Sequence, residues 1–317
     1  MTTARELHDD SLVFLAYTVT PVRVDRHGDT LAHMSQRLPA RRRLRPVFRG
    51  AIDDDLAALR AYFGLGVRGI QLADDDGSPA WIDACHAPPD AGGLTDFGWD
   101  VIAEMNRLGL LIDLAHASDA AYDAVLAAST QPVISSHSAA RALCPVRRNL
   151  TDETLRSIVS RGGMLGIFFG SGFLDNSYWD QPASYAFRGG IMQRHLALAA
   201  QHADDPFALA EALRTPAPPP DALAAQAAAD PLPPLRSSPM SSLVAHFDHC
   251  IRVMGEDSVC LGSDFGGIDD DGVIGMDEPS KLLNLTAALV EHEYSDATVR
   301  KLLGTNLLKL FREVARG

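Results

Sequence analysis

Two histidines stand at the ends of two apolar runs. In LLIDLAHASD (110–119) the run ends on His116, and in QPVISSHSAARALCPVRRNL (131–150) a second run ends on His137, with Arg148 and Asn149 close behind. A continuous apolar run reads as a buried strand, so each run delivers an imidazole at its C-terminal end. Two imidazoles brought together are half of a metal site, or an acid and a base. Arg148 adds a planar fork of donors suited to a carboxylate. GSDFGG (262–267) carries Asp264 at the end of a further run, where it could orient an imidazole or move a proton.

The elements that must position these groups follow from periodicity. Strands are expected at 11–20, 66–73, 111–116, 132–137, 164–170 and 258–267, and helices at 53–66, 94–109, 118–129, 151–163, 242–255 and 295–314. Thr95 or Asp96, Ser118, Thr151 and Ser295 stand where N-caps belong, and Gly109 lies just past a helix end. Strand–helix units with short connections predict parallel strands with crossover helices, and chemistry at strand C-termini favours a TIM-type barrel over an open sheet. No GxGxxG turn follows a strand, which removes support for a dinucleotide fold. Residues 203–239, rich in proline and alanine, read as an insertion or lid in an otherwise single barrel spanning 1–317.

With 317 residues, 46% hydrophobic, the chain can bury a sizeable core. A net charge of −13 argues against a nucleic-acid partner. ARRRLRPVFR (40–49) is a short basic cluster that reads as a solvated turn. Cys85, Cys144, Cys250 and Cys260 form no CxxC pair, which fits reduced thiols in a cytoplasmic protein. The start lacks a basic segment followed by an apolar one, and no apolar run has membrane-spanning length, so no membrane partner is expected. His246 and His249, three apart on a helix, read as structural.

Residues 93–169 and the C-terminal part resemble the membrane dipeptidase (renal dipeptidase, peptidase M19) family. The matching text is GLTDFGWDVIAEMNRLGLLIDLAHASD, PVISSHSAARALCPVRRNLTDE, RGGMLGIFF, AHFDHCIRVMGEDSVCLGSDFGGI and VRKLLGTNLLKLFREV. The resemblance implies an amidohydrolase-like (β/α)8-type TIM barrel with two zinc ions at its mouth that activate a water to cleave dipeptides. It makes His116 and His137 metal ligands, Arg148 the grip on the substrate carboxylate, and Asp264 the residue that handles the proton of the attacking water. It also implies a homodimer.

The first half departs from that pattern. Aligned without gaps, Leu15, Tyr17 and Val19 occupy the family's Asp-x-His-x-Asp positions, and Arg49-Gly50 stands where its bridging glutamate is expected. Asp74 or Asp75 replaces a further histidine, and Gly266 a second aspartate. Too few residues separate Val19 from Asp53 for two β/α units, so an N-terminal strand is missing or vestigial. Arginine opposes cation binding and valine cannot ligate, so no dinuclear centre is expected. His116, His137 and Asp264 remain as a weak mononuclear set, giving no cofactor or one weakly bound Zn. The leading expectation is a divergent enzyme acting on a small amino-acid- or peptide-derived carboxylate, with His116, His137, Asp264 and Tyr17 catalytic and Arg148 and Asn149 binding. Two alternatives stay open. One is a zinc dipeptidase rebuilt from His27, Asp29 and one of Asp53, Asp54 and Asp55; the other is a non-catalytic binding subunit.

Overall fold

The computed structural model describes residues 3–11, 52, 55–64, 67–74, 81–85, 87, 92–181, 236–265, 268 and 272–314. The strand expected at 11–20, and with it Leu15, Tyr17, Val19, His27 and Asp29, lies outside the described residues, as do Arg49, Asp53, Asp54, Asp75, Gly266 and nearly all of 203–239. The chain divides into two compact units, Met1–Asp175 with Ser238–Gly317, and Asn176–Ser237.

The first unit is built on five parallel strands in sequential order: β1 (Gly69–Gln71), β2 (Leu111–Asp113), β3 (Val133–Ser138), β4 (Met164–Phe168) and β5 (Val259–Gly262). Every residue in them is buried, as a parallel sheet covered on both faces requires. Sequential parallel order with helical crossovers is the arrangement of a (β/α) barrel wall. The β3–β4 pairing contains one irregularity. Ser135 faces Leu165 and Ser138 faces Ile167, so three steps along β3 match two along β4. The extra residue is a β-bulge at Ser136–His137.

Helices follow from local signals. Helix α1 (Ala4–Asp10) opens with a capping box, Thr3 and Glu6 each bonding the other's backbone amide. Helix α2 (Leu56–Gly64) begins after Asp55, whose Oδ1 accepts from Ala57 N at 2.7 Å. Helix α3 (Asp96–Leu108) is capped by Thr95 and ended by Gly109 at φ 67°, which glycine adopts without strain. Helices α4 (Asp119–Ala128) and α5 (Asp152–Ser160) are capped by Ser118 and Thr151. At Thr151 the hydroxyl pairs with Thr154. A short α6 (Ser171–Leu174) follows β4, and α7 (Met240–Met254) precedes β5. Helix α8 (Leu282–Glu291) packs on α1, where His8 Nδ1 meets Thr286 Oγ1 at 2.7 Å.

The single helix expected over 295–314 is instead α9 (Asp296–Arg300), a π-helical turn over Lys301–Thr305 kinked at Gly304, and α10 (Asn306–Val314). The cause is tertiary. Asn306, in the first turn of α10, donates from Nδ2 to Glu256 O at 2.7 Å and Val259 O at 2.9 Å, tying it to the start of β5.

The second unit is described only at its two ends. A 3-10 turn over Asn176–Asp180 stacks Tyr178 edge-on against Trp179, and the Gln181 amide exchanges two hydrogen bonds with the Arg236 backbone.

Candidate active site

The described site begins with the bulge in β3. A bulge removes one backbone N–H from the ladder, and that donor must be satisfied elsewhere. Here Ser136 N donates to Asp113 Oδ1 at 2.9 Å, and Ala115 N donates to the same oxygen at 3.0 Å. Asp113 therefore ties the end of β2 to the bulge of β3, and the two histidines are carried on the segments it joins. Burial pushes its carboxyl above the ordinary range, against the opposing pull of Ser136, the two amides and Arg148. The Ser136 carbonyl points at β4 and β5, where Gly166 and Gly262 leave room for it. A Cβ at either glycine would stand 2.0 or 2.2 Å from that oxygen.

His137 is fully buried, and His116 is partly exposed. Their Nε2 atoms lie 2.8 Å apart, with ring centroids at 4.8 Å. On the other side of its ring, His137 Nδ1 meets Ser136 Oγ at 2.9 Å. A nitrogen–nitrogen contact this short requires a proton between the rings: one imidazole donates and the other accepts. His116 sits at φ 70°, and Asp264, two residues beyond β5, at φ 55°. Both are in the left-handed region, which costs a non-glycine residue about 1 kcal/mol or more. Two of the three such residues described are thus at the strand ends singled out for chemistry.

Arg148 is 5% exposed. Its Nη1 donates to Ser138 Oγ at 2.5 Å, and its guanidinium carbon lies 5.9 Å from the Phe168 ring centre. Phe168 also meets His137 edge-on at 5.6 Å, so one ring packs against both functional groups. Nε and Nη2 of Arg148 have no hydrogen-bond partner among the described residues. Those two N–H groups form one edge of the guanidinium, the edge that grips a carboxylate with two parallel hydrogen bonds.

The structure brings His116, His137 and Arg148 into one network through Ser136, Ser138 and Phe168. Asp264 is buried at the neighbouring strand end. Asn149 Nδ2 donates to Cys144 O at 2.9 Å and Phe173 O at 2.8 Å, fixing the chain behind Arg148, while its buried Oδ1 has no partner among the described residues. Tyr17 lies outside the described residues. His246 accepts from Ala140 N at Nδ1 and donates from Nε2 to Leu174 O, so burial holds it neutral, with its pKa down at about 4. His249 faces Asp152 at 2.7 Å on the outer layer. Sequence reasoning passed over Asp113, Ser136, Ser138 and Tyr122. The available signal was SSHS itself, four polar residues in a strand expected to be buried, each needing a partner.

The zinc ions that the resemblance implies can be tested against these donors. Among the described residues, no three His, Cys, Asp or Glu side chains gather into a group that could hold a metal. Two imidazole nitrogens on one tetrahedral zinc stand about 3.3 Å apart, given bonds of about 2.0–2.1 Å. At 2.8 Å the His116 and His137 nitrogens stand closer than that. The N-terminal positions that the resemblance would use to complete such a centre lie outside the described residues.

Parallel β/α units with polar side chains at the strand C-termini are the arrangement of a (β/α) barrel that keeps its site at that end. The profile of the membrane dipeptidase family (peptidase family M19) matches residues 49–316, and the chain belongs to that family. The match begins beyond Leu15, Tyr17, Val19, His27 and Asp29. The chain is 29% identical over 269 residues to an uncharacterized protein in the pqqA 5′ region of Klebsiella pneumoniae, covering 84% of this chain and 79% of that one. It is 27% identical over 271 residues to human Dipeptidase 3, covering 84% of this chain and 43% of that protein, so it spans less than half of that relative's length. Among solved structures it resembles a metallopeptidase from Rhodobacter sphaeroides liganded with a phosphinate mimic of the dipeptide L-Ala-D-Ala. That match has a TM-score of 0.61 at 27% identity and covers 83% of this chain and 60% of that one. An amidohydrolase from Pseudomonas aeruginosa shares the fold, with a TM-score of 0.66 at 19% identity over 99% of this chain and 100% of that one. Among the described residues, no helix is long and apolar enough to cross a membrane.

Proposed function

We propose that the protein binds a small amino-acid- or peptide-derived carboxylate through Arg148 and acts on it with the His116–His137 pair, using one weakly held zinc ion or none. The observation that carries this reading is the buried Arg148 guanidinium, whose Nε/Nη2 edge lacks a partner among the described residues. A buried cation with two unmatched donors is costly, and a carboxylate answers both at once. With the carboxylate held, His116, the more exposed of the pair, exchanges a proton with the ligand. His137, fixed between Ser136 and His116, receives or returns it. Asp264 orients the ligand or moves a second proton, and Tyr17 supplies a phenol donor at the barrel mouth. The same reading takes the chain as a cytoplasmic homodimer whose four buried cysteines stay reduced.

Calorimetry with dipeptides and N-acyl amino acids, each paired with its C-terminal amide, tests the proposal. The free acids bind and the amides do not, and Arg148→Met weakens the acids by at least about 30-fold, as expected for truncating one side of a buried charge pair. Equal binding of acids and amides would refute it.

A second reading is favoured by family membership and by the likeness to the R. sphaeroides metallopeptidase. In it the chain is a zinc dipeptidase whose missing ligands come from His27, Asp29 and one of Asp53 to Asp55. Elemental analysis separates the two. Two tightly held zinc ions per chain and chelator-sensitive dipeptide hydrolysis establish the second reading; one weak ion or none excludes it.

A further inference from the structure

The β3 bulge has an effect on the outer side of the strand. In a regular strand, residues three apart point to opposite faces. With one residue inserted, Ser135 and Ser138 come to the same side, and their hydroxyls meet at 3.0 Å. Tyr122, on α4, donates its phenol proton to Ser135 Oγ at 2.7 Å; Ser135 donates on to Ser138 Oγ; and Ser138 Oγ accepts from Arg148 Nη1. All four side chains are buried. Burial also pushes the Tyr122 phenol up, so it remains a donor. Ser138 Oγ thus accepts from both Ser135 and Arg148, and the Tyr122–Ser135 bond fixes the hydroxyl that holds Ser138 in place.

We infer that Tyr122, Ser135 and Ser138 are positioning residues that lock the Arg148 guanidinium with its Nε/Nη2 edge presented to a ligand carboxylate. The inference rests on the carboxylate reading for its purpose, but the lock itself is a property of the unliganded protein. A guanidinium pinned at Nη1 by a hydroxyl and seated near the Phe168 ring cannot rotate freely about its Nε–Cζ bond. Without the pin, rotation would average its edges and cost affinity for a two-pronged ligand. Tyr122 and Ser135 touch no ligand in this scheme; they act through Ser138.

The test uses the full chain labelled with ¹⁵N,¹³C-arginine, with the Arg148 side-chain signals assigned by their loss in Arg148→Lys. In the wild type, Nη1 and Nη2 give separate signals because rotation is hindered. Tyr122→Phe, which removes one oxygen, speeds the rotation at least about threefold, and Ser138→Ala merges the signals, as loss of one hydrogen bond implies. Acetate, the simplest carboxylate, is then titrated: it shifts the Arg148 Nε signal, and Tyr122→Phe weakens it by about three- to tenfold. Ser138→Ala lies nearer the site and is more exposed to misfolding, so Tyr122→Phe decides the question. If Tyr122→Phe lowers stability but leaves rotation and acetate affinity unchanged, its role is packing alone and the inference fails. If rotation responds to Tyr122→Phe but acetate never shifts Arg148 in the wild type, the lock stands and the carboxylate reading fails.

Discussion

Substituting Gly166 by alanine puts the bulge to a quantitative test. The added Cβ would lie 2.0 Å from Ser136 O, 2.9 Å from Ser136 C and 3.0 Å from Gly262 Cα. Ordinary contact begins at 3.4 Å, so about 1.4 Å must open between β3 and β4 at a point where both neighbours are backbone. No side chain can swing aside, and Ser136 is held from behind by Asp113. Overpacking in a core costs about 1–3 kcal/mol, and a clash with fixed backbone belongs at the upper end. Urea unfolding followed by circular dichroism is expected to show a loss of about 3 kcal/mol. Gly64→Ala is the control: a Cβ there meets nothing within 4 Å, and its stability stays within about 0.5 kcal/mol or rises. The displacement also reaches the site. Moving Ser136 by more than about 1 Å carries His137 with it and opens its 2.8 Å contact with His116 beyond hydrogen-bond range. Ligand binding in Gly166→Ala therefore falls further than the unfolded fraction explains. A variant within about 0.5 kcal/mol of wild type would refute the packing of the Ser136 carbonyl between the two glycine strands.

Three further outcomes are expected. The His246 imidazole is held at about 4 when folded, against 6.5 ordinarily, so the unfolded chain takes its proton first; stability present above pH 6.5 is lost as pH falls toward 4, by about 3 kcal/mol, and a His246→Gln variant shows a flatter pH–stability curve across that window. Asn306→Ala strips two carbonyls of a shared buried donor and lowers stability by about 2–3 kcal/mol in chemical denaturation, whereas Asn306→Asp costs at least as much because a carboxylate cannot donate. Thr151→Ala removes the cap of α5 and costs about 1 kcal/mol, with Thr151→Ser restoring most of it.

Much of the fold could be read locally. The caps at Thr95, Ser118 and Thr151 and the glycine stop at 109 depend on a few adjacent residues, and the structure shows them in place. The break in the last helix could not be read this way. Gly304 is only a weak local hint, since a lone glycine is tolerated in a helix, and the break is held by Asn306, anchored to carbonyls about fifty residues away in sequence. The same division runs through the site. His116, His137 and Arg148 stood out because polar residues at the ends of apolar runs are unusual. The bulge is defined only by the register of β3 against β4, so the pairing of Ser135 with Ser138, and through it the reach of Tyr122, was invisible. Asp113 was hidden for a simpler reason: within LLID it reads as an edge of the strand, and its role appears only once Ser136 N needs an acceptor.

The left-handed backbone at His116 and Asp264 has a consequence for evolution in the laboratory. Both positions hold side chains in a conformation that glycine occupies freely. A selection for heat resistance alone, blind to activity, would weigh that relief against the contacts each side chain makes: glycine at 116 leaves the buried His137 Nε2 without its 2.8 Å partner. The net change at each position would measure, in free energy, how backbone strain and side-chain contacts balance where the fold presents a functional group.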